Sequence, residues 1–195
     1  MCQKSQLAKL GLFDAKVPRY TSYPTVPHFA PHIGAAHFQS WLAQIPAGSQ
    51  ISLYVHVPFC RSLCWFCMCR TQGTRSDAPI VAYVAALKQE ISLLKSHLPK
   101  DVSLARIHWG GGTPTILPPD MIRDLAAALL DMAPLAAGAE FSVEIDPNEF
   151  DQARCQALID AGLTRASIGV QGFDDTTQQA IGRSLTFDRV AQVVA

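Results

Sequence analysis

Residues 51–69 read ISLYVHVPFCRSLCWFCMC. The first seven, Ile51–Val57, predict a β-strand, and Pro58 ends it because proline cannot continue a ladder. Tyr54 and His56 stand two apart, so they share one face of that strand. Four cysteines then fall within ten residues, at 60, 64, 67 and 69.

Downstream the pattern is regular. Ala78–Leu98 predicts a helix with Val81, Val84, Leu87, Ile91 and Leu94 on one stripe. Ala105–Trp109 predicts a second strand running into the turn Gly110-Gly111-Gly112. A helix over Pro119–Met132 follows, with proline in its first turn, where the missing N–H does no harm. Phe141–Ile145 is the third strand, Gln152–Ala161 a helix stopped at Gly162, and Arg165–Val170 the fourth strand. Helices over Asp174–Ile181 and Thr186–Ala195 close the chain. Strands alternating with helices predict parallel βα units and an α/β fold. Four units are present and no fifth strand follows, so the edge at Arg165–Gln171 is left without a neighbour. The expectation is the N-terminal part of a longer, truncated barrel.

Upstream, residues 1–50 show no clear period. VPRYTSYPTVPHF (17–29) reads as an extended segment lying over a surface, with a short helix near Ala35–Gln44. Two regions are expected, 1–50 as a lid segment and 51–195 as the incomplete barrel.

In parallel α/β folds, ligands gather at the carboxyl ends of the strands. There lie the cysteine loop, the three glycines, Glu144 and Asp146, and Gln171. Strand counting alone brings them to one end.

Bulk properties narrow the function classes. Lys plus Arg and Asp plus Glu are both 16, which argues against nucleic acid or an anionic membrane as partner. Tyr20 to Cys60 carries no Lys, Arg, Asp or Glu, but Pro24, Pro27, Pro31 and Pro46 interrupt it, so no membrane span is expected. The first 16 residues lack the apolar centre of a secretory signal, and a cytoplasmic protein is expected. Dense cysteines in that compartment read as metal-binding or redox-active.

Iron–sulfur clusters are held by thiolates, normally four for a cubane. A tight turn can bring Cys60, Cys64 and Cys67 to three corners, and Cys69 follows too closely to reach the fourth easily. One iron then keeps an open position for a chelating molecule. A zinc loop using all four thiolates is the alternative, although the usual second knuckle is absent. Cys2 and Cys155 are isolated and read as ordinary small apolar residues.

C-x3-C-x2-C with an aromatic before its third cysteine, after YVHVPF, resembles the radical S-adenosylmethionine (SAM) superfamily. Cys69, PRYTSYPT, HWGGGTPT, VEIDP and GVQGF narrow the resemblance to the oxygen-independent coproporphyrinogen III oxidase family, from about Val17 to the last residue. The resemblance implies a partial parallel (β/α) barrel of the radical SAM type, with four of six βα units present. It implies a 4Fe-4S cluster on Cys60, Cys64 and Cys67, and two SAM molecules. Reductive cleavage of SAM gives a 5′-deoxyadenosyl radical, which removes hydrogen from two propionates of coproporphyrinogen III. Loss of carbon dioxide and an electron from each then yields the vinyl groups of protoporphyrinogen IX. An unidentified one-electron donor is implied, as is a monomer at full length.

The same resemblance assigns SAM contacts to Tyr54, His56, Phe66, Gly111, Gly112, Thr113, Glu144, Gln171 and Arg183, and an activity-related role without cluster ligation to Cys69. Each has a plainer reading. Tyr54 and His56 could be rim packing, and Arg183 an ordinary surface arginine. Asp146 before Pro147 could cap the next turn, and Trp65 reads as packing. Glycines let backbone amides approach a ligand, and Glu144 in an apolar strand calls for a partner. Met68 departs from the glycine often found there. Two rival readings remain, a haem-trafficking relative without oxidase activity and a zinc-binding structural module.

Overall fold

The computed structural model describes residues 6, 8–11, 25–67 and 69–195; Cys2, Met68 and the expected extended segment up to residue 24 lie outside them. The chain divides into two compact units, Met1–Ser40 and Trp41–Ala195. A 3-10 turn at Val26–His28 precedes α1 (Ala35–Ala43), which buries no residue.

The second unit carries a four-stranded sheet built from β1 (Gln50–Val57), β4 (Ser103–Gly111), β5 (Leu135–Ile145) and β6 (Arg165–Ile168). The strands stand in chain order and every pair is parallel. Helices α2 (Ala78–His97), α3 (Pro119–Met132) and α4 (Gln152–Asp160) connect successive strands. Parallel strands require such crossovers, and unbroken sequential order is the winding of a barrel rather than of a sheet that reverses direction. After β6 come α5 (Asp175–Ile181) and α6 (Phe187–Val194).

Side-chain alternation divides the sheet into two unlike faces. Val55, Val57, Ile107, Trp109, Phe141, Val143 and Ile145 are buried together with Ile80, Val84, Ile91, Ile122, Leu125, Leu129 and Leu158 of the helices. Tyr54, His108 and Glu144, on the alternate positions, stay partly or largely exposed. One face is therefore the core and the other is polar and accessible.

Local chemistry sets the helix ends. Asp151 accepts from the Arg154 amide at the start of α4, and Asp174 accepts from the Thr177 amide at the start of α5. Gly182 takes φ +68° to terminate α5 in the left-handed conformation.

The observed elements depart from the sequence reading at several points. On α2 the expected stripe holds at Val84, Leu87, Ile91 and Leu94, which are buried or packed against the core, while Val81 is exposed and Ile80 takes its place. Strand β5 starts at Leu135, six residues before the expected Phe141, because Leu135 pairs with Leu104 across an irregular register. LAAGAE has low β propensity, and pairing rather than propensity extends the strand. Strand β6 ends at Ile168, two residues short of Val170, and lies exposed at the sheet edge.

Candidate functional site

The cysteine loop leaves β1 at Pro58 and is closed at its base by a two-residue parallel ladder, β2 (Phe59–Cys60) with β3 (Gln72–Gly73). The Gln72 amide donates to Pro58 O at 2.7 Å and the Thr74 amide to Cys60 O at 3.0 Å. Arg61 pairs with Asp77 and donates to the Thr74 and Ser76 carbonyls, strapping the outer side. The Trp65 amide donates to Ile181 O at 2.8 Å, tethering the tip to the end of α5. Trp65 does not pack as expected: it is 88% exposed, and its backbone amide is what ties it to the rest of the structure. Phe66 is half exposed.

Two donors reach the sulfurs. The Cys69 amide points at Cys67 Sγ (3.3 Å), and the buried Thr113 hydroxyl at Cys60 Sγ (3.4 Å). Burial pushes the Cys60 thiol up; the Thr113 hydroxyl opposes this, and Cys67, Asp146 and Cys64 add to the rise. Burial likewise raises Cys69, helped by Cys67 and Glu144. Among the described residues no three His, Cys, Asp or Glu side chains form a group able to hold a metal ion. The donor set nonetheless suits an iron–sulfur cluster: soft thiols in one loop, with N–H and O–H groups aimed at sulfur.

His56 joins the strand face to this loop. Its Nε2 lies 2.8 Å from Arg70 O, and its Nδ1 lies 2.9 Å from the Tyr54 hydroxyl. A carbonyl only accepts, so Nε2 carries the proton and Nδ1 accepts from Tyr54. Burial, with Glu144 and Cys69 behind it, pushes the Tyr54 phenol up. Glu144 and Cys69 thus both lie near enough to Tyr54 to act on its phenol.

The glycine turn works differently from the sequence expectation. Its amides are not free for a ligand: Gly111 N donates to Glu144 Oε2 (3.1 Å), Gly112 N to Val57 O (2.8 Å) and Thr113 N to Phe59 O (2.8 Å). Glycine is required by space instead. A Cβ on Gly111, at φ +114°, would lie 2.7 Å from the His56 ring, and one on Gly112 2.7 Å from Phe59 O.

Glu144 also differs from expectation. It is not stranded in apolar surroundings, because its side chain is 44% exposed and already partnered by the Gly111 amide and by His108, with Nε2 3.5 Å from Oε1. Sequence reasoning passed over His108; its place two residues before Gly110, on the face shared with Gly110 and Tyr54, was the available signal.

On the β6 side, Asp146 caps the turn after β5 by accepting from the Asn148 amide. It also pairs with Arg183 at 3.2 Å, and Arg183 donates to Gly169 O at 2.9 Å. Arg183 is thus largely buried rather than a surface arginine. Gln171 is exposed, at φ +63°. The thiols, Tyr54, His56, Thr113, Gly111 and Glu144 are joined by direct contacts or mutual electrostatics, and Arg183 reaches them through Asp146, which acts on Cys60.

A model of the radical SAM superfamily matches residues 54–195. The oxygen-independent coproporphyrinogen III oxidase of Paracoccus denitrificans is 62% identical over 194 residues, covering 100% of this chain and 43% of that protein. The one from Bradyrhizobium diazoefficiens is 45% identical, covering 93% of this chain and 40% of its own length. Among solved structures, the coproporphyrinogen III oxidase of Escherichia coli, a radical SAM enzyme, superposes with a TM-score of 0.84 at 34% identity, over 95% of this chain and 41% of that one. The chain spans about two-fifths of the length of the curated relatives it matches. No helix among the described residues is long and apolar enough to cross a membrane. With a cysteine loop at the carboxyl end of β1 and a family match over most of its length, the chain belongs to the radical SAM superfamily, whose chemistry implies a 4Fe-4S cluster and SAM.

Proposed function

We propose that this chain carries the cluster- and SAM-binding part of an oxygen-independent coproporphyrinogen III oxidase, acting in the cytoplasm in haem biosynthesis. The observation that carries the proposal is the meeting of the Cys60–Cys69 loop with Tyr54, Thr113 and Glu144 at the carboxyl ends of parallel strands. When bound, the cluster and SAM supply a 5′-deoxyadenosyl radical able to take hydrogen from a propionate side chain.

Cys60, Cys64 and Cys67 hold the cluster, and the Thr113 hydroxyl and Cys69 amide donate to its thiolates. Glu144 keeps lone pairs for an amine or hydroxyl of SAM, because a carboxylate can accept about four hydrogen bonds, while here the Gly111 amide takes one and His108 makes a longer contact. Tyr54 and Phe66 offer aromatic surface, and Gly111, Gly112 and Thr113 line the approach. His56 holds the Arg70 end of the loop in place. Gln171 and Arg183 would hold a second SAM, with the Arg183 guanidinium shared between Asp146 and a SAM carboxylate. Cys69 is exposed and serves turnover without binding iron. An external one-electron donor completes the reaction.

The test is anaerobic reconstitution of the full-length protein, followed by iron and sulfide analysis and turnover of coproporphyrinogen III. Cluster content with protoporphyrinogen IX formed supports the reading. Haem binding without turnover would transfer the protein to the trafficking class, and bound zinc without sulfide would remove the radical chemistry altogether.

A further inference from the structure

His108 stands at the centre of the polar sheet face, where register places Tyr54 beside it on β1 and Ser142 beside it on β5. Its Nδ1 lies 2.7 Å from Ser142 Oγ, and its Nε2 3.5 Å from Glu144 Oε1. Its ring stacks on Tyr54, with centroids 5.7 Å apart and planes 16° from parallel. The network assigns the tautomer. The buried Ser142 hydroxyl has one alternative acceptor, Ile107 O at 3.5 Å, which is a poor hydrogen bond. Its proton therefore goes to Nδ1, which leaves the ring proton on Nε2, facing the Glu144 carboxylate. The space between the two groups is kept open by the lack of a side chain at Gly110: a Cβ there would lie 3.0 Å from both His108 Nε2 and Glu144 Cδ.

We infer that His108 is a positioning residue for Glu144, its tautomer set by Ser142 and its ring plane by Tyr54. The inference rests on the reading of Glu144 as a SAM contact. His108 and the Gly111 amide each hold one carboxylate oxygen. Together they fix the direction of the lone pairs left for the ligand. The 3.5 Å contact is longer than a full hydrogen bond and tightens when a bound cation fixes the carboxylate, as site geometries commonly do on loading. Neighbours that orient a ligand-binding group in this way are part of its affinity.

The experiment titrates SAM into the full-length, cluster-loaded, reduced protein and follows the paramagnetic resonance of the cluster. His108→Phe keeps an aromatic ring against Tyr54 and removes the N–H; SAM should bind about 10- to 100-fold more weakly, with iron content unchanged. His108→Gln, whose amide N–H can stand where Nε2 stands, should recover most of that loss. His108→Asn, which reaches only towards Ser142, should not. Ser142→Ala, a milder change in case the ring variants fold poorly, should weaken binding by about threefold to tenfold, since the tautomer is no longer dictated. The double variant His108→Phe/Glu144→Gln should bind no worse than Glu144→Gln alone, the non-additivity expected of groups acting as one unit. If Glu144→Gln weakens SAM while His108→Phe stays within about twofold of the parent, the positioning role is overturned and the Glu144 reading stands. Equal losses in the Phe and Gln variants would reduce His108 to packing. If Glu144→Gln binds SAM normally, the reading of Glu144 fails and the inference fails with it.

Discussion

Gly112→Ala should strike the site through backbone alone. An added Cβ would lie 2.7 Å from Phe59 O, 2.9 Å from Phe59 N and 3.0 Å from Phe59 C. All three atoms belong to the main chain, so no side chain can swing aside. Relief requires β4 and Phe59 to separate by roughly half an ångström, and overpacking of this kind costs about 1–3 kcal/mol. The movement also strains the bonds from Gly112 N to Val57 O and from Thr113 N to Phe59 O, each worth about 1 kcal/mol net. A total near 3 kcal/mol corresponds to a fall in melting temperature of about 6–12 °C for a protein of this chain's size. Phe59 directly precedes Cys60, so iron retained after anaerobic reconstitution should fall as well. Gly111→Ala provides the contrast. Its Cβ meets the His56 ring at 2.7 Å, with a strained φ of +114° in addition. The ring can leave, at the expense of its bonds to Tyr54 and Arg70 O. Adding His56→Ala should therefore lessen the extra damage from Gly111→Ala and do nothing for Gly112→Ala. Thermal melts by circular dichroism and iron assays read both outcomes. A Gly112→Ala protein that melts with the parent and holds full iron would refute the account of why this turn is glycine.

Ala in place of Cys60, Cys64 or Cys67 should abolish the visible absorbance of the reconstituted protein, while Cys155→Ala, in a helix against the core, should keep it; retention in all three loop variants would remove the ligand assignment. Thr113→Val deletes the hydroxyl aimed at Cys60 Sγ and should lower the cluster's midpoint potential, since a donor on a thiolate sulfur favours the more negative reduced state; an unchanged potential in a redox titration would count against that contact. Asp151→Ala removes the cap of α4 and should cost about 1 kcal/mol in a denaturation series. The Arg154 amide holds the Asp151 carboxyl below its usual range, so the cap is fully present above the unfolded value near 3.9 and is lost as the pH falls through the lower folded value. The parent and Asp151→Ala stabilities should accordingly converge in strong acid and differ at neutrality.

Spacing in the chain was enough to set out the four βα units, the single cysteine loop and the gathering of Tyr54, the glycines and Glu144 at one end of the sheet, because strand period and crossover geometry are local rules applied in order. Pro119–Met132 was legible to the residue, since its first-turn proline and apolar stripe both mark it. The partners were not legible. That Glu144 is gripped by His108 and Gly111, that the glycine amides are already bonded, and that Arg183 closes on Asp146 depend on strand register and loop packing between residues 33–37 positions apart or across the cysteine loop. A register shift of one residue turns every side chain to the opposite face, and no single stretch of sequence records which register is taken. Trp65 shows the same limit: an aromatic residue between two cysteines reads as packing, and only the path of the loop around it left the ring outside.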